Sequence, residues 1–332
     1  MKGPSCVALL IVLNCALHAQ DPDPFFTTLA PEMLDPSRAG PLPGVTATLI
    51  SREQWMQLPG SFRTDVLSAT MGTGVRDDRH GHWGGGLIMR HDRSGDLGWQ
   101  GLRASLATAY HLRTSRNGTL SFGMSPALER TQSDPRNGRW ASQYDGTGYD
   151  PSLPSGERYT NAPSSTIAMD AGISYMLVAK DKRYGAELYP RLVAGLSGTR
   201  LAVAHLSGAG NGIPSAPPRY TAHVALTLPT HAQLFDRVYF ESVAHTMGPH
   251  TTARTSLGVG HATYQAKRLS EQDQPLGYRM DIGWRWMDAF FVRGHITWGP
   301  LDLGLSYGWS LPSSDQQVAG PRSVELCLRA RL

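Results

Sequence analysis

The chain has 332 residues, 31 Lys and Arg against 27 Asp and Glu, and a formal net charge of +4, too small and too dispersed to argue for a nucleic-acid partner. Only 17% of residues are charged while Gly reaches 36, Tyr 12 and Trp 8, a composition of strands and tight turns in which no extended segment carries a helical apolar period. After the first twenty residues nothing approaches the run of about 18 apolar residues that a membrane helix needs, so a place in a membrane requires a barrel.

Residues 1–20 read as an export signal, with Lys2 at its positive end, Val7 to Leu13 as its apolar run and cleavage near Ala19/Gln20. Cys6 and Cys15 fall inside it. Cys327 is then alone in the mature chain and no intramolecular disulfide can form. Residues 21–43 contain six prolines, which deny them a long regular element, and are expected to form an extended N-terminal arm.

From residue 44 to 332 the chain alternates. Leu301, Leu303, Leu305, Tyr307 and Trp309 fall on one face of a strand, and Asp302, Gly304, Ser306 and Gly308 on the other. Val324, Leu326, Leu328 and Ala330 oppose Glu325, Cys327, Arg329 and Arg331 in the same way, as Tyr278, Met280, Ile282 and Trp284 oppose Arg279, Asp281, Gly283 and Arg285. One face is apolar with aromatics near its ends, and the other is small, polar or charged. A soluble β-sandwich has the same period, but the export signal, strand count and strand lengths favour a transmembrane antiparallel β-barrel.

About fourteen strands are expected, near 45–52, 62–71, 82–91, 99–112, 119–129, 165–177, 186–206, 219–228, 237–246, 251–262, 278–287, 289–298, 301–310 and 322–332. The seventh contains Pro190 and Gly195 and reads as two strands or one bulged strand. With both termini on the periplasmic side, the connections 53–61, 92–98, 130–164, 207–218, 247–250, 287–288 and 311–321 point outward. The longest, 130–164, carries Tyr144, Tyr149 and Tyr159 and is the best candidate for an external recognition surface.

Candidate chemistry is thin. His80 and His82 suggest a chelating pair, but His82 and His91 stand at opposite ends of one strand and no third ligand has suitable spacing. Gly208 to Gly212 lacks the helix and Lys-Ser/Thr of a phosphate loop, and Asn117-Gly118 suits a hairpin turn better than a glycosylation site. Ser105 and His111 share a face six residues apart, and no Gly-x-Ser-x-Gly elbow occurs, so no enzyme, metal or cofactor is expected. Gly84-Gly85-Gly86 inside a strand permits a sharp bend or close packing of the arm.

The expected lumen face carries Arg90, Arg103, Asp170, Arg219, His223, Arg237, Glu241, Arg254, Arg279, Asp281, Arg285, Arg293, Glu325, Arg329 and Arg331. Two accounts stand: mutual pairing across neighbouring strands, which is favoured, or a basic wall that holds the acidic arm or an acidic partner segment.

The motif order carries a resemblance. Asp35-Pro36-Ser37-Arg38-Ala39-Gly40 in the arm is followed by Arg52-x-Gln54-Trp55-x-x-Leu58-Pro59-Gly60-Ser61-Phe62. Next come Gly84-Gly85-Gly86-Leu87, Asp92-Arg93-Ser94-Gly95, Ala109-Tyr110-His111-Leu112 and Arg219-Tyr220-Thr221-x-His223. Together these resemble the PorP/SprF family of Bacteroidota outer-membrane proteins associated with type IX secretion. Asp35 stands where that pattern usually has Asn, and the chain ends on Leu332 without an aromatic.

The resemblance implies an integral outer-membrane barrel, without an active site, that assists secretion or surface attachment of specific proteins alongside type IX secretion or gliding components. The motif residues would be candidate partner contacts. Outward connections and the polar lumen would hold a C-terminal segment of a secreted surface protein or adhesin. A passive porin or hydrophobic-solute channel is the rival expectation. Trp55 would anchor the first outward hairpin, turned by Pro59-Gly60, either as a structural anchor in the wall or rim or as a partner contact.

Overall fold

The computed structural model describes residues 24–56, 61–73, 81–95, 98–133, 138–156, 163–179, 189–207, 216–230, 232, 234–263, 276–286, 289–310 and 322–332. Fourteen antiparallel strands among these close into one barrel: β1 Gly44–Gln54, β2 Phe62–Gly72, β3 His82–Ser94, β4 Trp99–Arg113, β5 Gly118–Gln132, β6 Ser164–Val178 and β7 Arg191–Ser207. The second half follows as β8 Arg219–Pro229, β9 Arg237–Met247, β10 His250–Thr263, β11 Leu276–Arg285, β12 Ala289–Trp298, β13 Leu301–Ser310 and β14 Arg322–Arg331. Every strand pairs with its chain neighbours, and β1 closes on β14 with Ile50 opposite Cys327 and Arg52 opposite Glu325. Closure leaves the sheet without edges along most of its height.

The expected alternation is the barrel wall. Along β11 Leu276, Tyr278, Met280, Ile282 and Trp284 are exposed on the outside while Arg279, Asp281 and Arg285 are buried within. An outward row of this kind on strand after strand is stable only against hydrocarbon, which is why the chain needs no apolar helix to enter a membrane.

Inside lies the arm. It leaves the wall at Gly44, whose strand begins at what we call the near end, and Pro24 to Phe26 lie at the level of the facing pair Arg52 and Glu325, close to the far ends of β1 and β14. Its described part is coiled, with 3-10 turns at Pro31–Met33 and Pro36–Arg38, each begun by a proline whose fixed φ suits a helical first residue. Phe26, Leu29, Ala30 and Ala39 pack against Ile50, Val66, Ile88, Ala107, Ala109 and Cys327 to form an apolar core between arm and wall.

Among the described residues the wall is irregular at three places, all in the sector of longest strands: one in the β4–β5 ladder and two in the β6–β7 ladder, the outer of these between Ser165 and Thr166. The β4–β5 ladder is interrupted between Ser105↔Ala127 and Thr108↔Met124, where Pro126 has no N–H to contribute. The expected seventh strand is a single one over Arg191–Ser207. It breaks register with β6 between Met169 and Ala171, where Arg200 takes a left-handed φ of 57° and donates its N–H to Asp170 Oδ1 at 2.9 Å. Residues 186–188 of that expected strand lie outside the described residues.

Candidate functional site

The arm is seated by backbone approach and by a few buried polar groups. Glu325, wholly buried, accepts the N–H of Phe25 on one carboxylate oxygen and that of Phe26 on the other, each at 2.7 Å. Arg52 lies 3.9 Å from the same carboxylate with its guanidinium over the Phe25 ring at 4.4 Å. Arg254 donates to the Pro24 carbonyl and the Thr27 hydroxyl, and Arg293 donates to the Phe25 carbonyl at 2.5 Å. Phe25 stacks on Phe291 with ring centroids 4.4 Å apart.

Deeper down, Glu32 is bonded by the Ser68 hydroxyl, and the Leu34 carbonyl accepts from Ser197 at 2.5 Å. Asp35 caps the second 3-10 turn by accepting the Ser37 N–H at 2.9 Å, and its other oxygen takes the Nε2–H of His223 at 2.9 Å. Ser37 donates to the Ser174 hydroxyl at 2.7 Å. His111 donates from Nε2 to the Ala39 carbonyl at 2.9 Å, which leaves Nδ1 of the neutral ring to accept from Ser121 at 2.8 Å.

Glycines make the room. A Cβ on Gly84 would land on the Ala39 carbonyl, one on Gly123 on Pro36 and Ser37, and one on Gly172 on the Asp35 carboxylate. The Gly84 to Gly86 run is therefore the arm's bed, the second of its two expected uses. Gly40 turns the chain out of the lumen with φ 57° against the Met71 backbone.

The lumen charges mostly pair with one another. Arg279 and Arg293 share Glu241 and Asp281; Arg103 bridges Glu129 and Asp170; Arg329 and Arg331 converge on Asp302. The arm's contribution to this network is small. Its carboxylates meet His223 and Ser68, whereas the arginines that touch it bind carbonyl and hydroxyl oxygens or lie over the rings of Phe25 and Phe26. Both accounts of the lumen charges hold in part, with mutual pairing the larger share.

Towards the far end, beside the arm, a cavity of about 50 Å³ remains, lined among others by Glu32, Arg90, Arg103, Asp170, Arg200 and Arg219. Above it, the described residues 138–156 of the long connection form an ordered unit. Gln143 bonds Leu153, Asp150 returns its N–H to the Gln143 carbonyl at 2.8 Å, and Tyr144 bridges Tyr149 with ring centroids 5.5 Å apart. Arg139 lies over the Tyr149 ring at 5.2 Å. Asp145 accepts from the hydroxyl and N–H of Thr147 and from the N–H of Gly148, and these bonds hold its carboxyl down to about 2. Ser152 lowers Asp150 likewise.

The family-motif residues separate into groups. Asp35, Pro36 and Gly40 belong to the arm, where they face His223, Gly123 and Met71 of the wall, and Arg52 belongs to the wall, where it lies over Phe25 of the arm. Gln54, Trp55 and Phe62 meet at the far rim, where Gln54 is opposite Phe62 and the Trp55 ring stands edge-on to Phe62 at 4.6 Å. Trp55 adopts φ 57° and its N–H reaches the Arg322 carbonyl at 2.8 Å, so it fastens the rim between β1 and β14. Asp92 accepts from Thr64 at 2.8 Å and pairs with Arg90 at 2.9 Å, and Gly95 turns β3 towards β4 with φ 68°.

Arg219 is buried at the cavity, while its neighbour Tyr220 is exposed on the outer wall, as strand alternation demands. Leu58, Pro59, Gly60 and Tyr159 lie outside the described residues, as do the expected signal at 1–20 and the glycine run 208–212. Glu325, Arg254 and Arg293 are placed in the lumen by strand parity, but their hold on the arm's backbone has no sequence motif. A lumen-facing glycine on strand after strand is the one trace of it.

Among solved structures, the chain is similar to a TodX deltaS2S3 mutant monoaromatic hydrocarbon channel, with TM-score 0.50 and 11% identity over 90% of this chain and 93% of that one. It is also similar to CdiB from Acinetobacter baumannii, with TM-score 0.45 and 10% identity over 87% of this chain, and spans 60% of that chain's length. A Pseudomonas aeruginosa FadL homologue matches with TM-score 0.40 and 10% identity over 87% and 88% of the two chains. At these identities the likeness concerns the fold. Comparison with curated proteins finds no match. The profile of one family, described as type IX secretion system membrane protein PorP/SprF, matches residues 19–329. With that match over nearly the whole length, and a closed fourteen-strand wall to carry it, this outer-membrane barrel belongs to the PorP/SprF family of type IX secretion system membrane proteins.

Proposed function

We propose that the barrel assists the secretion or surface attachment of specific exported proteins, and that it does so as a closed scaffold that binds a partner segment at its far end. The far end is the outer face in this reading, and the long connection between β5 and β6 is the recognition surface. The observation that carries the proposal is the filled lumen: the arm occupies the axis from Gly40 to Pro24, and its core-facing side chains are buried against the wall. A barrel built for diffusive flux has no use for a fitted plug made from its own chain, so the filled lumen weighs against a passive porin.

The connection suits recognition because its hydrogen bonds are internal, from Gln143 to Leu153 and from Ser142 to Ser155, which leaves Tyr144 exposed on a preorganised surface. Partner proteins, their C-terminal segments and the other secretion components belong to this proposal, as does any part in gliding. Replacing 134–162 by a short turn tests it. The barrel is expected to reach the outer membrane in normal amount while a specific surface protein is shed into the medium; a full surface complement in that variant would rule out the connection as the recognition surface.

A further inference from the structure

The cavity beside the arm gathers positive side chains from four strands. Arg90, Arg103, Arg200 and Arg219 reach it from β3, β4, β7 and β8, and Glu32 and Asp170 are the acidic residues of its lining. Arg90 and Arg103 stand directly opposite each other in the β3–β4 ladder, a like-charge pair that is destabilising unless negative charge lies within reach of both. Asp92 pairs with Arg90 at 2.9 Å, Asp170 with Arg103 at 2.5 Å, and Glu129 with both Arg103 and Arg200. With Asp92 and Glu129 included the charges balance. Neither of those two belongs to the lining, so it is on the cavity side that guanidiniums outnumber carboxylates.

A second observation is independent of charge. Ser125, 2% exposed, lines the same space from β5, and its hydroxyl has no hydrogen-bond partner among the described residues. A buried hydroxyl left in that state costs free energy comparable to a lost hydrogen bond. Ser125 stands opposite Asp170 in the β5–β6 ladder, so whatever satisfies it sits among the guanidiniums. Size then limits the occupant. A cavity of about 50 Å³ has room for about four waters, or for the few heavy atoms of a carboxylate, and not for a sugar, a nucleotide or a lipid headgroup.

We propose that this cavity is a binding site for one carboxylate group, held by the arginine forks and by the Ser125 hydroxyl. The ligand class follows from the donor set. A guanidinium donates and never accepts, and its planar pair of N–H groups matches the two oxygens of a carboxylate, which a halide cannot present. Ser125 donates its O–H to the same group and is satisfied by it. Two sources present this chemistry: a small free acid, and a carboxylate at the end of a polypeptide that enters from the far end. The site stands whether or not the barrel retains an exported protein.

Acetate is the probe that tests this. The full chain in lipid vesicles is unfolded in urea while acetate replaces chloride at constant ionic strength, and broadening of an isotopically labelled acetate resonance by the folded barrel gives the affinity without unfolding. Acetate is expected to raise the urea midpoint to a plateau that chloride does not reach. Ser125→Ala should weaken acetate about tenfold, the scale of one hydrogen bond to a charged group, and Arg219→Lys should weaken it as well, because it keeps the charge and loses the fork. Both variants are first shown to be folded by heat-modifiable migration in electrophoresis. An alanine hexapeptide with a free C-terminus, and the same peptide amidated, separate the two sources. Displacement of acetate by the acid and not by the amide assigns the site to a polypeptide carboxylate, and displacement by neither assigns it to a small free acid. Equal midpoints in acetate and chloride would overturn the proposal and leave a cavity that holds water only. An acetate effect that survives unchanged in both variants would overturn it too, by placing the anion elsewhere.

Discussion

Glu325 shows how much one side chain can organise. It takes two backbone N–H groups of the arm and lies beside Arg52, itself 1% exposed, so its removal leaves two donors and a cation without their acceptor in the barrel interior. Glu325→Ala should therefore destabilise the barrel by on the order of 3 kcal/mol, read as a lowered urea midpoint in lipid vesicles, and Glu325→Gln by less because one acceptor oxygen survives. An unchanged midpoint for the alanine variant would show that the carboxylate does not hold the arm. Gly84 contributes by having no side chain. A valine there must displace the Ala39 carbonyl, so Gly84→Val is expected to free the arm and speed trypsin cleavage after Arg38 about tenfold, since protease reaches only the opened state. At this scale the sequence is half legible. Parity places Glu325 indoors, but a carboxylate binding backbone N–H leaves no complementary residue to read, so its partner stays invisible until the chain is folded.

Strands are the most legible elements, because every one that faces lipid on one side and a polar lumen on the other must alternate, and the fourteen expected segments coincide with the fourteen observed to within a few residues. Irregularity is less legible. Pro126 interrupts the β4–β5 ladder from within a segment whose alternation is otherwise intact, and the bulge opposite Asp170 depends on Arg200 adopting a conformation that nothing in its neighbours announces. The long connection is a further element whose order comes from local bonds, above all the turn closed by Asp145. Its carboxyl is depressed to about 2 by bonds from Thr147 and Gly148, so the turn's extra stability is complete above the ordinary carboxylate value and is lost as pH falls through about 2. An NMR titration should then find Asp145 ionised at pH 3 with the Thr147 amide still hydrogen-bonded, and Asp145→Asn should loosen the turn at every pH. A normal carboxylate midpoint would contradict the bonded turn.

The whole molecule is two constructions that share a wall: an apolar exterior fitted to the bilayer and an interior fitted to its own first residues. The exterior follows from period-2 hydropathy read together with the export signal, the strand count and the strand lengths. The interior required long-range information, since Asp35 meets His223 at a separation of 188 residues and Phe25 meets Glu325 at a separation of 300. The arm's proline content says that it is not a strand, and says nothing about where it goes. Its position in the lumen is the ground on which a closed barrel, and retention of a partner by it, are proposed. Solute flux into vesicles tests this most directly, with the full chain compared against a variant lacking 24–40. The full chain should admit sugars no faster than protein-free vesicles while the shortened one, shown to be folded by its heat-modifiable migration in electrophoresis, admits them rapidly. Rapid unselective entry through the full chain would contradict the plugged barrel and favour a porin.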